Sequence, residues 1–105
     1  MIIEIREEAR SDLRVGYQFY EDQAAGLGRY FLECIFADID ALRQFAGIHE
    51  TVDGYQRMLS KRFPYAIFYE IVGNVVRISA ILDCRRDPDW IHKRLKLPQI
   101  GRAHV

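Results

Sequence analysis

Residues 80–95 read AILDCRRDPDWIHKRL: an apolar run that stops at two adjacent arginines, then Asp-Pro-Asp, a tryptophan and more basic residues. Together with Arg57, Lys61 and Arg77 upstream, Arg85 and Arg86 supply the cationic groups that grip carboxylates or phosphates. The total charge is zero, yet it is divided unevenly. Residues 1–54 hold eleven acids against five arginines, net −6, and the remainder holds ten cations against four acids, net +6. The second half is the part built to meet an anion or an acidic partner.

Other chemistries are poorly provided for. The histidines at 49, 92 and 104 and the distant Cys34 and Cys84 have no metal-ligand spacing, so no metal is expected. No glycine-rich phosphate loop, nucleophile elbow or dinucleotide fingerprint occurs, so no cofactor is expected. The acids lie mostly in the first half, which gives no catalytic carboxylate pair, and the neutral total disfavours a general duplex-DNA binder. Both cysteines sit in apolar contexts and read as buried free thiols in a reducing cytoplasm. No stretch approaches the roughly 20 apolar residues that span a bilayer. The opening MIIEIREEARSDL is acidic and amphipathic, unlike a signal peptide.

The elements that position these residues follow from periodicity. MIIEI is a β-branched run and predicts a first strand. From Glu7 to about Ala25, Ala9, Leu13, Tyr17 and Tyr20 recur on one helical face, and AAGLG then predicts a turn. A second helix follows, with Leu27, Tyr30, Phe31, Cys34, Ile35, Ile39, Leu42 and Phe45 as its apolar stripe. Residues 46–54 show no period and are expected to form a loop. Beyond them the period becomes two. YQRMLSKR, at 55–62, predicts a strand that turns through Phe63-Pro64, and VGNV, at 72–75, predicts a two-residue hairpin turn.

That turn sets a register. Ile71/Val76, Tyr69/Ile78, Ile67/Ala80 and Tyr65/Leu82 are expected to face the helices. Glu70/Arg77, Phe68/Ser79 and Ala66/Ile81 are expected on an open face, joined by Arg57, Leu59, Lys61, Asp83 and Arg85. Arg85 and Arg86, being neighbours in an extended strand, must point to opposite sides. Arg85 is therefore expected beside Trp90 on the open face. Arg86, on the apolar side, is expected to be structural, and Asp87 to N-cap a last helix that starts at Pro88. The order is β-α-α-β-β-β-α, an α+β fold with a helical hairpin on one face of a small, mainly antiparallel sheet. Residues 1–97 form the single domain and 98–105 a tail.

SKRFPYAIFYEIVGNVVRISAILDCRRDP, residues 60–88, together with EARSDL near the start, resembles the RelE/ParE toxins of type II toxin–antitoxin systems. The resemblance implies the compact toxin fold, a cytoplasmic location, and a cognate antitoxin that forms a hetero-oligomer with the toxin. Within that family, ParE-like members inhibit DNA gyrase by binding, and RelE-like members cleave mRNA in the ribosome. The nuclease branch implies Arg57, Lys61 and Arg85 as candidate catalytic cations, plus an aromatic acid near the C-terminus. No tyrosine follows Tyr69, and Trp90 stacks on bases but donates no proton. The expectation is a ParE-like gyrase inhibitor with no confident catalytic residue. Its binding face comprises Arg57, Leu59, Lys61, Phe68, Arg77, Arg85 and Trp90, and the mRNA endonuclease is the alternative.

Overall fold

The computed structural model describes residues 1–96. The expected domain end near 97 and the 98–105 tail lie outside the described residues. The chain runs β1 (Ile2–Ile5), α1 (Glu7–Glu21), α2 (Leu27–Phe45), β2 (Glu50–Val52), β3 (Tyr55–Leu59), β4 (Tyr65–Val72), β5 (Val75–Asp83) and α3 (Pro88–Lys96). The sheet order is β1-β5-β4-β3-β2, with β1 parallel to β5 and the other pairs antiparallel.

Glu7 and Glu8 place negative charge in the first turn of α1, where the helix dipole favours it. Glu21 closes that helix and caps the next: its carboxylate accepts from the Gly26 and Gly28 N–H groups at 3.0 and 2.9 Å. The two helices approach closely at Gly16, where any Cβ would stand 2.7 Å from the Phe31 ring. Their apolar faces bury Leu13, Phe31, Ile35, Ile39 and Leu42 against Ile67, Tyr69, Val76, Ile78 and Ile81. This is the main core.

Residues 46–54 are not simply a loop, as the sequence suggested. β2 pairs with β3 through a two-residue turn in which Asp53 and Gly54 take φ of 53° and 85°, the type I′ pattern that matches strand twist. Gly73, with φ of 60°, makes the β4–β5 turn as expected. The register from Val72/Val75 to Tyr69/Ile78 also agrees with the sequence.

The next pair departs from it. Phe68 pairs with Ala80, so Ser79 is an extra residue, a β-bulge. One inserted residue exchanges the two sides of the rest of β5. Ile81 turns into the main core, while Ala80 and Leu82 join Ala66 and Phe68 on the other side, under Leu95 and Ile91 of α3. The expected open face is therefore a second, smaller core.

Candidate functional site

Each candidate residue finds its position from that bulge. Arg57, in the middle of β3, stands opposite Phe68 on the α3 side, and its Nη2 donates to Glu50 of β2 at 3.3 Å. Phe68 itself is only 3% exposed, because α3 and the β2–β3 hairpin cover it, so it offers no area to a partner. Leu59, at the end of β3, is exposed, and Lys61 follows it. Arg77 stands opposite Glu70 in register, yet its Nε donates to Glu4 of β1 at 3.1 Å. The parallel register places Glu4 directly beside it.

Arg85 and Arg86 are exchanged relative to expectation. Arg85 donates to Asp83 through Nε at 3.0 Å and Nη2 at 2.7 Å, and its Nη2 lies 3.5 Å from the Tyr20 hydroxyl of α1. It belongs to the helical-hairpin side. Arg86 instead lines the cavity on the α3 side and lays its guanidinium over Trp90, 3.9 Å from the ring centroid. The cause is the extra residue at Ser79, since every later side chain changes sides. Asp87 accepts from the Asp89 N–H at 3.4 Å, a cap for the first turn of α3 with Pro88 next to it.

That cavity, of about 580 Å³, lies between α3 and the β2–β3 hairpin. Ala66, Phe68 and Leu82 form its floor, and Arg57, Arg86 and His92 bring cations to its walls. His92 Nδ1 lies 2.9 Å from Asp53 Oδ1 and ties α3 to the hairpin turn. Cys84, expected to be buried, is an exposed residue that also lines the cavity. Partial desolvation raises its thiol pKa, against the pull of Arg57, which keeps the sulfur protonated and unreactive.

Sequence reasoning missed the contact that fixes α3. Arg94 reaches past the end of β1 and donates to Asp12 of α1 at 2.7 Å and to the Glu8 carbonyl at 3.2 Å. The same Asp12 oxygen accepts the Ile81 N–H at 3.0 Å, beyond the last β1–β5 pair. Burial raises the Asp12 pKa, while the Ile81 amide and Arg94 pull it down. Nothing in the local sequence signals a bond between residues this distant.

On the hairpin side, Tyr20 and Tyr65 stand near Arg85. Desolvation raises the pKa of Tyr20 and pushes Tyr65 up to about 12, so both phenols hold their protons at neutral pH. Among the described residues, no group of histidines, cysteines or acids is arranged to hold a metal ion.

A family model described as "ParE toxin of type II toxin-antitoxin system, parDE" matches residues 3–88. No curated protein matches the chain. Among solved structures, the chromosomal ParDE TA system from P. aeruginosa superposes with a TM-score of 0.68 at 22% identity. The match covers 77% of this chain and 92% of that one, and it shows a shared fold.

Proposed function

The chain belongs to the ParE toxin family of type II toxin–antitoxin systems, and from that premise we propose that it acts by binding DNA gyrase and is neutralised by a cognate antitoxin. The observation that carries the binding mode is the separation of the cations. Phosphodiester cleavage by a 2′-hydroxyl needs a base, a charge-stabilising group and an acid gathered on one phosphate. Here Arg57 and Arg85 lie on opposite sides of the sheet, each already paired with a carboxylate. The tyrosines nearest Arg85 have pKa values displaced away from neutral.

What remains is recognition surface. Arg86 and Trp90 form an exposed stacked pair on α3, suited to the target. Arg57, Leu59 and Lys61 form a separate patch at the far side of the sheet, suited to the antitoxin, with which the toxin forms a hetero-oligomer. Arg77, held by Glu4 beside the β1 edge, lies apart from both. The proposed site of action is the cytoplasm, and no described helix is long and apolar enough to cross a membrane.

The test uses purified protein in two assays. It should inhibit supercoiling by gyrase and leave ribosome-bound mRNA intact, and Trp90→Ala should weaken the inhibition. Ribosome-dependent cleavage abolished by Arg57→Ala would instead place the protein in the nuclease branch.

A further inference from the structure

The two edges of the sheet are finished differently. Along β1, Arg10 Nε donates to the Ile5 carbonyl at 3.1 Å and Arg43 Nη1 to the Met1 carbonyl at 3.3 Å. Side chains of α1 and α2 thus occupy edge acceptors that another strand would need. At the opposite edge, β2 is only three residues long and covers β3 from Tyr55 to Arg57.

The register then fixes where the next backbone groups point. The two-residue turn makes Val52/Tyr55 the closing hydrogen-bonded pair, so Tyr55, Arg57 and Leu59 direct their N–H and C=O groups away from β4. The Ser60 N–H, one residue on, donates to the Tyr65 carbonyl at 2.8 Å, as this alternation requires. β2 satisfies Tyr55 and Arg57 and stops before Leu59. The backbone of Leu59 therefore faces outward at an edge with no strand beside it.

A groove of about 520 Å³ lies at this spot. Phe45 of α2, Ile48 and Leu59 line it and are 53%, 75% and 58% exposed. Its charges favour an acidic visitor. Asp38 is engaged by the Ser60 hydroxyl at 2.7 Å and the Lys61 N–H at 3.4 Å, whereas the Lys61 ammonium has no partner among the described residues. The Nε of Arg57 is buried without an acceptor.

We propose that the bare edge of β3 at Leu59 receives an extended segment of alternating aliphatic and acidic residues from a partner protein, pairing backbone to backbone with its carboxylates on Lys61 and Arg57. That this partner is the antitoxin rests on the toxin reading; the groove's chemistry does not. A second copy of the chain fits less well. A two-fold contact presents the same patch from both sides and would set Lys61 against its own counterpart.

Two labelled synthetic peptides test the groove directly: one alternates valine and glutamate, the other valine and lysine. The glutamate peptide should bind more tightly and should slow hydrogen exchange at the Leu59 amide. Leu59→Pro deletes an N–H that makes no sheet bond, and should weaken binding about fivefold to tenfold. Lys61→Glu should reverse the preference between peptides, which holds the proposal to account even if the proline variant misfolds. No binding of the glutamate peptide, equal affinity for both, or an unprotected Leu59 amide would overturn it. Concentration-dependent dimerisation abolished by Leu59→Pro would also overturn it, in favour of a second copy. Because the probes are synthetic, failure here leaves the gyrase result standing, and failure against gyrase leaves this one standing.

Discussion

On one side of the sheet, α1 and α2 press Phe31, Ile35, Ile39 and Leu42 onto strands whose inward residues are almost all aliphatic or aromatic. On the other side, nine-residue α3 buries Leu95, packs Ile91 more loosely, and otherwise relies on the Arg94–Asp12 and His92–Asp53 contacts. A helix this short is not stable alone, since isolated helices need roughly 12–15 residues to persist. The first side is held by area, which is large and undirected. The second is held by a few directed bonds and can be altered one residue at a time. Stability is concentrated on the first side, and both proposed recognition patches lie on or beside the second.

The largest effect should therefore come from the hairpin side. Phe31 is fully buried and touches the rings of Tyr20, Phe63 and Tyr65. Phe31→Ala should cost about 3–5 kcal/mol in chemical denaturation, the usual range for a deleted core aromatic. Leu95→Ala should cost less, because the small α3 core can relax by shifting the helix. Equal costs for the two variants would break the contrast between the faces.

A somewhat smaller loss should follow removal of Arg94. Arg94→Met leaves the Asp12 carboxylate buried with only the Ile81 amide as its remaining bonded partner, and breaking such a pair costs about 3 kcal/mol. Burial already raises the Asp12 pKa, and losing Arg94 should raise it further. The folded variant then takes up a proton more readily than the unfolded chain, so its deficit should shrink as the pH falls. Asp12→Asn added to Arg94→Met should recover part of the loss, a coupling measurable in a double-mutant cycle.

The sequence told these faces apart only up to the bulge. Gly73-Asn74 and the alternation around it fix four pairs, from Val72/Val75 to Tyr69/Ile78. Past Ile78, the run Ala80-Ile81-Leu82 puts an apolar residue on both parities, so neither register was favoured by hydrophobicity. A strand buried on both faces loses its alternation for that reason. Ser79 carried the only hint, as a small polar residue inside the run. Phe68 was misplaced as exposed because Ile91 and Leu95, four apart on a short basic helix, read as a solvated face. The Asp53-Gly54 turn was present in the sequence, but β2 is too short to show a period. The Arg94–Asp12 bond had no local signal of any kind.

Smaller effects separate the two adjacent arginines. Arg86 stacks on Trp90 in a largely exposed setting, where such a contact contributes about 0.5–1 kcal/mol. Arg86→Ala should lower Tm only slightly, shift the tryptophan emission, and weaken gyrase inhibition. Arg85→Ala should leave both the emission and the inhibition near wild type. If Arg85→Ala alone abolished inhibition, the recognition surface would have to move to the hairpin side.

The smallest expected effect is a pH dependence on that same hairpin side. The side-chain hydrogen bonds from Arg85, aided by its backbone N–H, hold the Asp83 carboxyl below the usual carboxylate range against the opposing effect of burial. A carboxyl whose pKa is lowered by folding adds stability above its unfolded pKa, near 4. That contribution is lost as the pH falls from about 4 through the lower folded value. Solvent around Arg85 screens the pair, so the amplitude should be small. Asp83→Asn removes the titrating group, and the stability difference between it and the parent should close below about pH 4. A difference that stays constant from neutral pH down to the acid limb would mean that Asp83 acts through its shape and hydrogen bonds alone, and that the Arg85 clamp carries no measurable charge–charge stabilisation.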